Sequence, residues 1–182
     1  MKLYVFLSSG FEECEALGTV DVCRRADFDV VMTSVTGDLT VVSAHGVKIV
    51  ADCLFEDCDF SDADLLMLPG GMPGSVNLRD HRGLKNVLQS HFASGRMLAA
   101  ICAAPLVYGG MGILRDHRAT CYPGCEDTLI GATYTGRLVE MDGQFITAKG
   151  PGAAFELGFA IVSRFKGAEA ANRLREAMIC AN

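Results

Sequence analysis

The sequence predicts an α/β protein with a mainly parallel sheet and helices on both faces. Three observations carry that expectation. The runs Leu3–Leu7, Ala63–Leu68 and Met97–Ile101 are of strand length and apolar almost throughout, the mark of strands buried on both sides. Segments with apolar residues at helical spacing lie between such runs. Each run also stops abruptly in small or turn-forming residues: Ser8-Ser9-Gly10, Pro69-Gly70-Gly71 and Cys102-Ala103-Ala104-Pro105. Strands alternating with helices give a doubly wound layout, in which ligands bind beyond the carboxyl ends of the strands.

Taken in order, Leu3–Leu7 opens the sheet. Glu12–Ala26 follows as a helix with Ala16, Leu17, Val20 and Cys23 along one side. Valine-rich Asp29–Val35 is a second strand. Thr40–Ser43 and Val47–Ala51 flank Ala44-His45-Gly46 as a hairpin. Ala63–Leu68 is the next buried strand. Asn77–Phe92 holds at least one helix, with Leu84, Val87, Leu88 and Phe92 as its stripe. Met97–Ile101 is the central strand, with a short helix after it at Leu106–Tyr108 and a flexible break at Gly109–Gly112. Arg118–Cys121 reads as a short strand. Leu138–Met141 and Phe145–Ala148 flank Asp142-Gly143, a strong hairpin signal. Gly150-Pro151-Gly152 opens a helix over Ala153–Arg164, and Ala168–Cys180 closes the chain, with Ala171, Leu174 and Met178 on its apolar side.

Composition narrows the classes of function. At 182 residues the chain is expected to form one domain, 1–182. It carries 22 acidic against 16 basic residues, net −6, and no basic cluster, so neither nucleic acid nor an anionic membrane is an expected partner. The first apolar run is too short for a signal-peptide core, and none approaches transmembrane length, so the expected location is cytoplasmic. The eight cysteines then read as free thiols. Cys53/Cys58 and Cys121/Cys125 lie close in sequence but lack metal-ligand spacing and a nearby histidine. No metal and no other cofactor is expected.

Chemistry concentrates at Cys102. A strand, a cysteine and a helix follow one another almost without spacer, the layout of a nucleophile elbow, and the neighbours Ala99, Ala100, Ala103 and Ala104 are small enough for the sharp turn. The first helical amides would favour the thiolate. Two more loops leave strand ends toward the same edge. One brings Glu12, Glu13 and Glu15. At least two of these suit an acidic first helical turn, while Glu15 lies near the apolar stripe and can point inward. A buried carboxyl stays protonated and can donate to a thiolate. The other loop brings Gly70 and Gly71. The amides of Gly71 and Ala103 would form an oxyanion hole, since glycine lets the backbone approach a bound oxygen closely. Gly150, Pro151 and Gly152 would wall the same pocket.

Gly10-Phe11-Glu12-Glu13-Cys14-Glu15, Leu68-Pro69-Gly70-Gly71, Ala100-Ile101-Cys102-Ala103-Ala104-Pro105 and Gly150-Pro151-Gly152 with Phe155-Glu156 occur in this order. Together they resemble the ThiJ/PfpI superfamily, in the branch that contains the parkinsonism-associated deglycase. The likeness spans nearly the whole chain. It implies a flavodoxin-like three-layer α/β/α sandwich, related to class I glutamine amidotransferases, and a homodimer. It also implies that Cys102 is the reactive cysteine and Glu15 its protonated partner, with Gly71 and Ala103 supplying amides. One departure stands out. Many relatives place a histidine directly after the cysteine or in the segment matching Thr120–Pro123; here those positions are Ala103 and Tyr122. His45 sits in a hairpin loop that could reach a site across a dimer, and His81, His91 and His117 read as surface residues.

Three functions follow from these residues. The first is a cofactor-free glyoxalase or deglycase acting on small dicarbonyls or glycated proteins. Cys102 would add to an aldehyde, and Glu15 would move protons between the two substrate carbons. The second is a redox-sensing stress protein or chaperone using oxidation of Cys102 to a sulfinate. The third is a PfpI-type cysteine peptidase or amidase, which the missing Cys–His pairing weakens.

Overall fold

A computed structural model describes residues 1–180. The elements in chain order are β1 (Lys2–Leu7), α1 (Glu13–Arg25), β2 (Asp29–Ser34), β3 (Thr40–Val42), β4 (Lys48–Val50), β5 (Cys53–Leu54), β6 (Leu65–Leu68), α2 (Gly74–Asp80), α3 (Arg82–Ala93), β7 (Met97–Ile101), α4 (Pro105–Gly110), β8 (Arg118–Ala119), β9 (Thr133–Tyr134), β10 (Val139–Asp142), β11 (Phe145–Ala148), α5 (Ala154–Lys166) and α6 (Ala168–Ala177). Seven strands form one sheet in the order β10-β11-β7-β6-β1-β2-β5. All neighbours in it are parallel except β10 and β11. β3 and β4 form the expected first hairpin, β10 and β11 the second.

Strand alternation sorts the core into two layers. Leu3, Val5, Leu7, Leu65, Met67, Met97, Ala99 and Ile101 face one side and pack with residues of α1, α5 and α6. Tyr4, Phe6, Leu66, Leu68, Leu98 and Ala100 face the other and pack with residues of α2, α3 and α4. Successive strand residues point to opposite faces, so a strand covered on both sides must be apolar at every position. The three-layer α/β/α sandwich follows directly. Between α1 and α5 the helices approach closely, because a Cβ on Gly158 would lie 2.6 Å from the Val22 Cβ.

Several expectations change in detail. Asn77–Phe92, expected to hold at least one helix, spans parts of two. His81 ends α2 and also caps α3, its Nδ1 accepting from the Leu84 amide at 2.9 Å. Gly109 and Gly110 belong to α4 rather than to a flexible break. A Cβ on Gly109 would collide with the Thr128 carbonyl at 1.9 Å, so close packing explains that glycine. The strand over Arg118–Cys121 shrinks to two residues. His91 is buried, not on the surface, with Nε2 at 2.9 Å from the Met97 carbonyl. The edge strand β5 and two short 3₁₀ turns, Phe55–Asp57 and Phe60–Asp62, have no counterpart in the sequence reading.

Candidate active site

β7, β6 and β1 are neighbours in the sheet, so the loops after Ile101, Leu68 and Leu7 emerge side by side at the carboxyl edge. The chain leaves β1 toward β2 on one side, while β6 and β7 extend the sheet on the other. A topological switch point therefore lies between β1 and β6, the place where open α/β sheets form their ligand crevice.

Cys102 stands at the sharpest turn. Its φ is +65°, a left-handed conformation that L-residues rarely adopt and that costs about 1–3 kcal/mol. The surroundings hold it there. Its amide donates to the Ala148 carbonyl at 2.9 Å, and its own carbonyl accepts from the Tyr122 amide at 2.8 Å. The residue is 9% exposed. Glu15, in the first turn of α1, is fully buried. Its Oε2 accepts from the Gly70 amide at 2.8 Å, and its carboxyl lies beside Cys102 and raises the thiol through its charge. Its Oε1 is buried with no hydrogen-bond partner.

Glu12 completes a closed circuit that the sequence reading missed. Its side chain caps α1 by accepting from the Glu15 amide at 2.7 Å, and its own amide donates to the Gly70 carbonyl at 3.0 Å. The carboxyl at residue 12, three before residue 15 at a helix start, was a readable capping signal. Gly70 is wedged in between: a Cβ there would lie 2.6 Å from both the Cys102 Cβ and Glu15 Oε2. Gly71 has φ +88°, and a Cβ on it would come within 2.4 Å of the Glu12 amide nitrogen.

The electrostatics correct one expectation. The Cys102 thiol is pushed up to about 12, first by burial and then by the charge of Glu15. The amides of Gly71 and Ala103 do pull toward the thiolate, as expected, but they are outweighed. α4 begins three residues after Cys102 and is only six residues long, so its dipole adds little. Burial also lifts Glu15, to about 7, opposed by the Cys102 thiol and the Gly70 amide. Both groups of the pair therefore hold their protons more tightly than usual, the carboxyl to about 7, in line with a buried carboxyl, and the thiol to about 12. Activation needs the thiol proton to leave Cys102, and Glu15 is the carboxyl beside it.

The structure brings Cys102, Glu15, Gly70, Gly71 and Ala103 together. Tyr122 is joined to the elbow through its amide, and its half-exposed ring lies over Gly150, where a Cβ would sit 3.1 Å from the Tyr122 Cδ2. Tyr122, Gly150, Pro151 and Gly152 line a groove of about 290 Å³ with Leu138 and Lys149, and neither Cys102 nor Glu15 is part of that lining. A larger cavity, about 470 Å³, lies at the amino ends of the strands, away from this chemistry. His45 Nδ1 meets Glu13 Oε1 at 3.0 Å, so within the chain it pairs with the neighbouring acid rather than with Cys102. Glu12, Glu13 and His45 form the one group with metal-ligand spacing among the described residues, and Glu12 already serves as the helix cap.

A family model described as the DJ-1/PfpI family matches residues 1–164. The chain belongs to the DJ-1/PfpI family. Among curated relatives, Protein DJ-1 homolog B of Arabidopsis thaliana is 39% identical over 172 residues, covering 93% of this chain. This chain spans under half the length of the two Arabidopsis relatives, 39% of homolog B and 45% of homolog A. The glutathione-independent glyoxalase DJR-1.2 of Caenorhabditis elegans is 33% identical over 165 residues, covering 90% of this chain and 87% of that protein. The solved structure of oxidized DJ-1 from Toxoplasma gondii superposes with a TM-score of 0.95 at 31% identity, over 100% of this chain and 99% of that one. The flavodoxin-like sandwich of DJ-1 proteins is therefore the fold of this chain. Among the described residues, no helix is long and apolar enough to cross a membrane.

Proposed function

We propose that the protein is a cofactor-free enzyme of the glyoxalase or deglycase type, acting on small dicarbonyls or on the adducts they leave on proteins, with residues 1–182 as one catalytic unit. The observation that carries this reading is the buried Glu15 carboxyl set beside Cys102 across Gly70, with the Gly71 and Ala103 amides easing ionisation of the sulfur. The glyoxalase among the relatives supports it.

In this reading Glu15 takes the thiol proton and Cys102 Sγ attacks the aldehyde carbon. The carbonyl π bond breaks, and the oxyanion accepts from Gly71 and Ala103. Glu15 returns its proton to that oxygen, giving a hemithioacetal. It then removes the proton from the former aldehyde carbon to give an enediolate, the hydroxyl proton passes to the neighbouring oxygen, and Glu15 delivers its proton to the adjacent carbon, leaving the thioester of a 2-hydroxy acid. Water hydrolyses the thioester to a hydroxy acid and regenerates the thiol. No step needs a histidine, and among the described residues the histidine side chains are bound to Glu13, Leu84, Met97 and Asp142. A peptidase lacks its usual general base here.

A second reading, Cys102 as a redox sensor, draws on the oxidized state of the Toxoplasma relative and on the same amides, which would hold a sulfinate. We extend the proposal to a two-fold homodimer in the cytoplasm. Support comes from the family and from exposed apolar side chains around the site, Met72 at 59%, Phe155 at 47% and Tyr122 at 49%.

The decisive measurement is steady-state conversion of methylglyoxal to lactate without glutathione. The expected result is turnover by the parent protein and none by Cys102→Ala. An inactive parent, or a Cys102→Ala variant as fast as the parent, overturns the enzyme reading.

A further inference from the structure

At the far edge of the sheet lies a second pair of sulfurs that the proposed reaction does not use. Cys53 is in the two-residue edge strand β5, paired in register with Thr33 of β2. One 3₁₀ turn, Phe55–Asp57, separates it from Cys58. That turn folds the chain back, so that Cys58 Sγ comes within 3.2 Å of the carbonyl of Leu54, the residue beside Cys53. The buried hydroxyl of Thr33 stands 3.5 Å from Cys53 Sγ and is close enough to the Cys58 thiol to ease its ionisation. Both sulfurs therefore face one hydroxyl, and each lies near enough to the other for Cys53 to raise the Cys58 thiol. Both cysteines are partly exposed, and Cys58 lines the 470 Å³ cavity together with Phe60, His91 and Arg96, which gives a small solute access.

We propose that Cys53 and Cys58 form a second redox-modification site, a dithiol that closes to an intramolecular disulfide when a peroxide-class oxidant reaches it. Cys53 Sγ attacks one peroxide oxygen. The O–O bond breaks, the other oxygen leaves with a proton as water or alcohol, and the sulfur becomes a sulfenic acid, oxidised by two electrons. Cys58 Sγ then attacks that sulfur, an S–S bond forms, and hydroxide leaves with the Cys58 proton as water. Two thiols and one hydrogen peroxide thus give one disulfide and two waters. Burial, then the adjacent Cys53 thiol, push the Cys58 thiol up to about 12, which assigns it the second step. This site is distinct from the elbow. β5 stands four strand positions from β7, roughly 19 Å at the usual interstrand spacing of about 4.8 Å.

The sequence offers a clean readout. Trypsin releases residues 49–79 as one peptide that contains Cys53, Cys58 and no other cysteine. The folded protein is treated with hydrogen peroxide at neutral pH, its remaining thiols are alkylated, and the digest is weighed. The expected peptide has lost two hydrogens and carries no alkyl group, and dithiothreitol restores two alkylatable thiols. Cys53→Ser abolishes the loss and leaves Cys58 alkylatable. The proposal is overturned if the parent peptide stays doubly alkylated while Cys102 is oxidised, if each sulfur gains oxygen separately, or if the peptide is cross-linked to another segment. The parent protein alone decides among these outcomes, so the result does not depend on the folding of a variant.

Discussion

Cys102 and Cys23 hold their protons equally tightly, each pushed up to about 12, yet for different reasons. Cys23 lies on the buried side of α1, and burial is the only cause of its shift. Nothing nearby can take its proton. Cys102 is raised by burial and by Glu15, and it is pulled back by two amides. The Glu15 contribution vanishes when the carboxyl accepts a proton. A thiol raised by desolvation alone is inert, whereas one raised by a proton acceptor is poised. The comparison teaches that the neighbours of a sulfur, rather than its proton affinity, mark it as a nucleophile.

The largest effect should come from cutting that difference at its source. Glu15→Gln leaves Cys102 without a base, so turnover of methylglyoxal should fall by roughly 10²-fold or more. Alkylation of Cys102 should instead speed up, because the opposing charge is gone. Parallel steady-state assays and peptide-resolved iodoacetamide labelling check both halves, and unchanged turnover would make the carboxyl structural.

The same variant sharpens the comparison through stability. Glu15 keeps its proton to about 7 when folded, against an ordinary 4.5. The folded state therefore binds more protons than the unfolded one between these values, so this group's contribution to stability falls as pH rises through that window. The loss amounts to about 3 kcal/mol above pH 7. Glu15→Gln removes it. Denaturant melts should show the variant gaining on the parent by that order between acid and alkaline conditions. A gap that does not change with pH would contradict the raised carboxyl.

Gly70→Ala tests the wedge between the two partners. The added methyl would meet both Cys102 and Glu15 at 2.6 Å, so the pair must spread. We expect destabilisation of about 1–3 kcal/mol and slower turnover, measured by melts and kinetics. The smallest effect belongs to the other thiol. Cys23→Ala should lower stability by about 1 kcal/mol and leave turnover unchanged, and Cys23 of the parent should be alkylated later than Cys102. Equal labelling of the two sulfurs in folded protein would erase the contrast.

Much of the fold was legible because buried parallel strands announce themselves as apolar runs. β1, β6 and β7 each sit within or close to such a run, and both hairpins sit on their turn signals. The elbow, the inward Glu15 and the nearby glycines were readable for a related reason: each is a departure from what its element alone would require. What stayed hidden depended on three-dimensional neighbours. A strand as short as β5 has no period to detect. Polar neighbours in sequence pointed His91 outward, although its spacing from Leu84 and Leu88 at seven and three residues places it on the buried stripe. At Cys102 the sequence shows the donors but not the desolvation, and desolvation is the largest cause acting on the thiol.

The hydrogen-bond circuit through residues 12, 15 and 70 has an evolutionary consequence. Glu12 holds the Glu15 amide, Glu15 holds the Gly70 amide, and the Gly70 carbonyl holds Glu12. A change at residue 12 or 15 leaves the next amide without its acceptor, so the circuit is expected to vary as a unit, although 55 residues separate Glu15 from Gly70. Lineages that abandon the carboxyl chemistry should lose the cap and the glycine with it. Grafting both loops together from a relative should succeed where grafting either one alone fails.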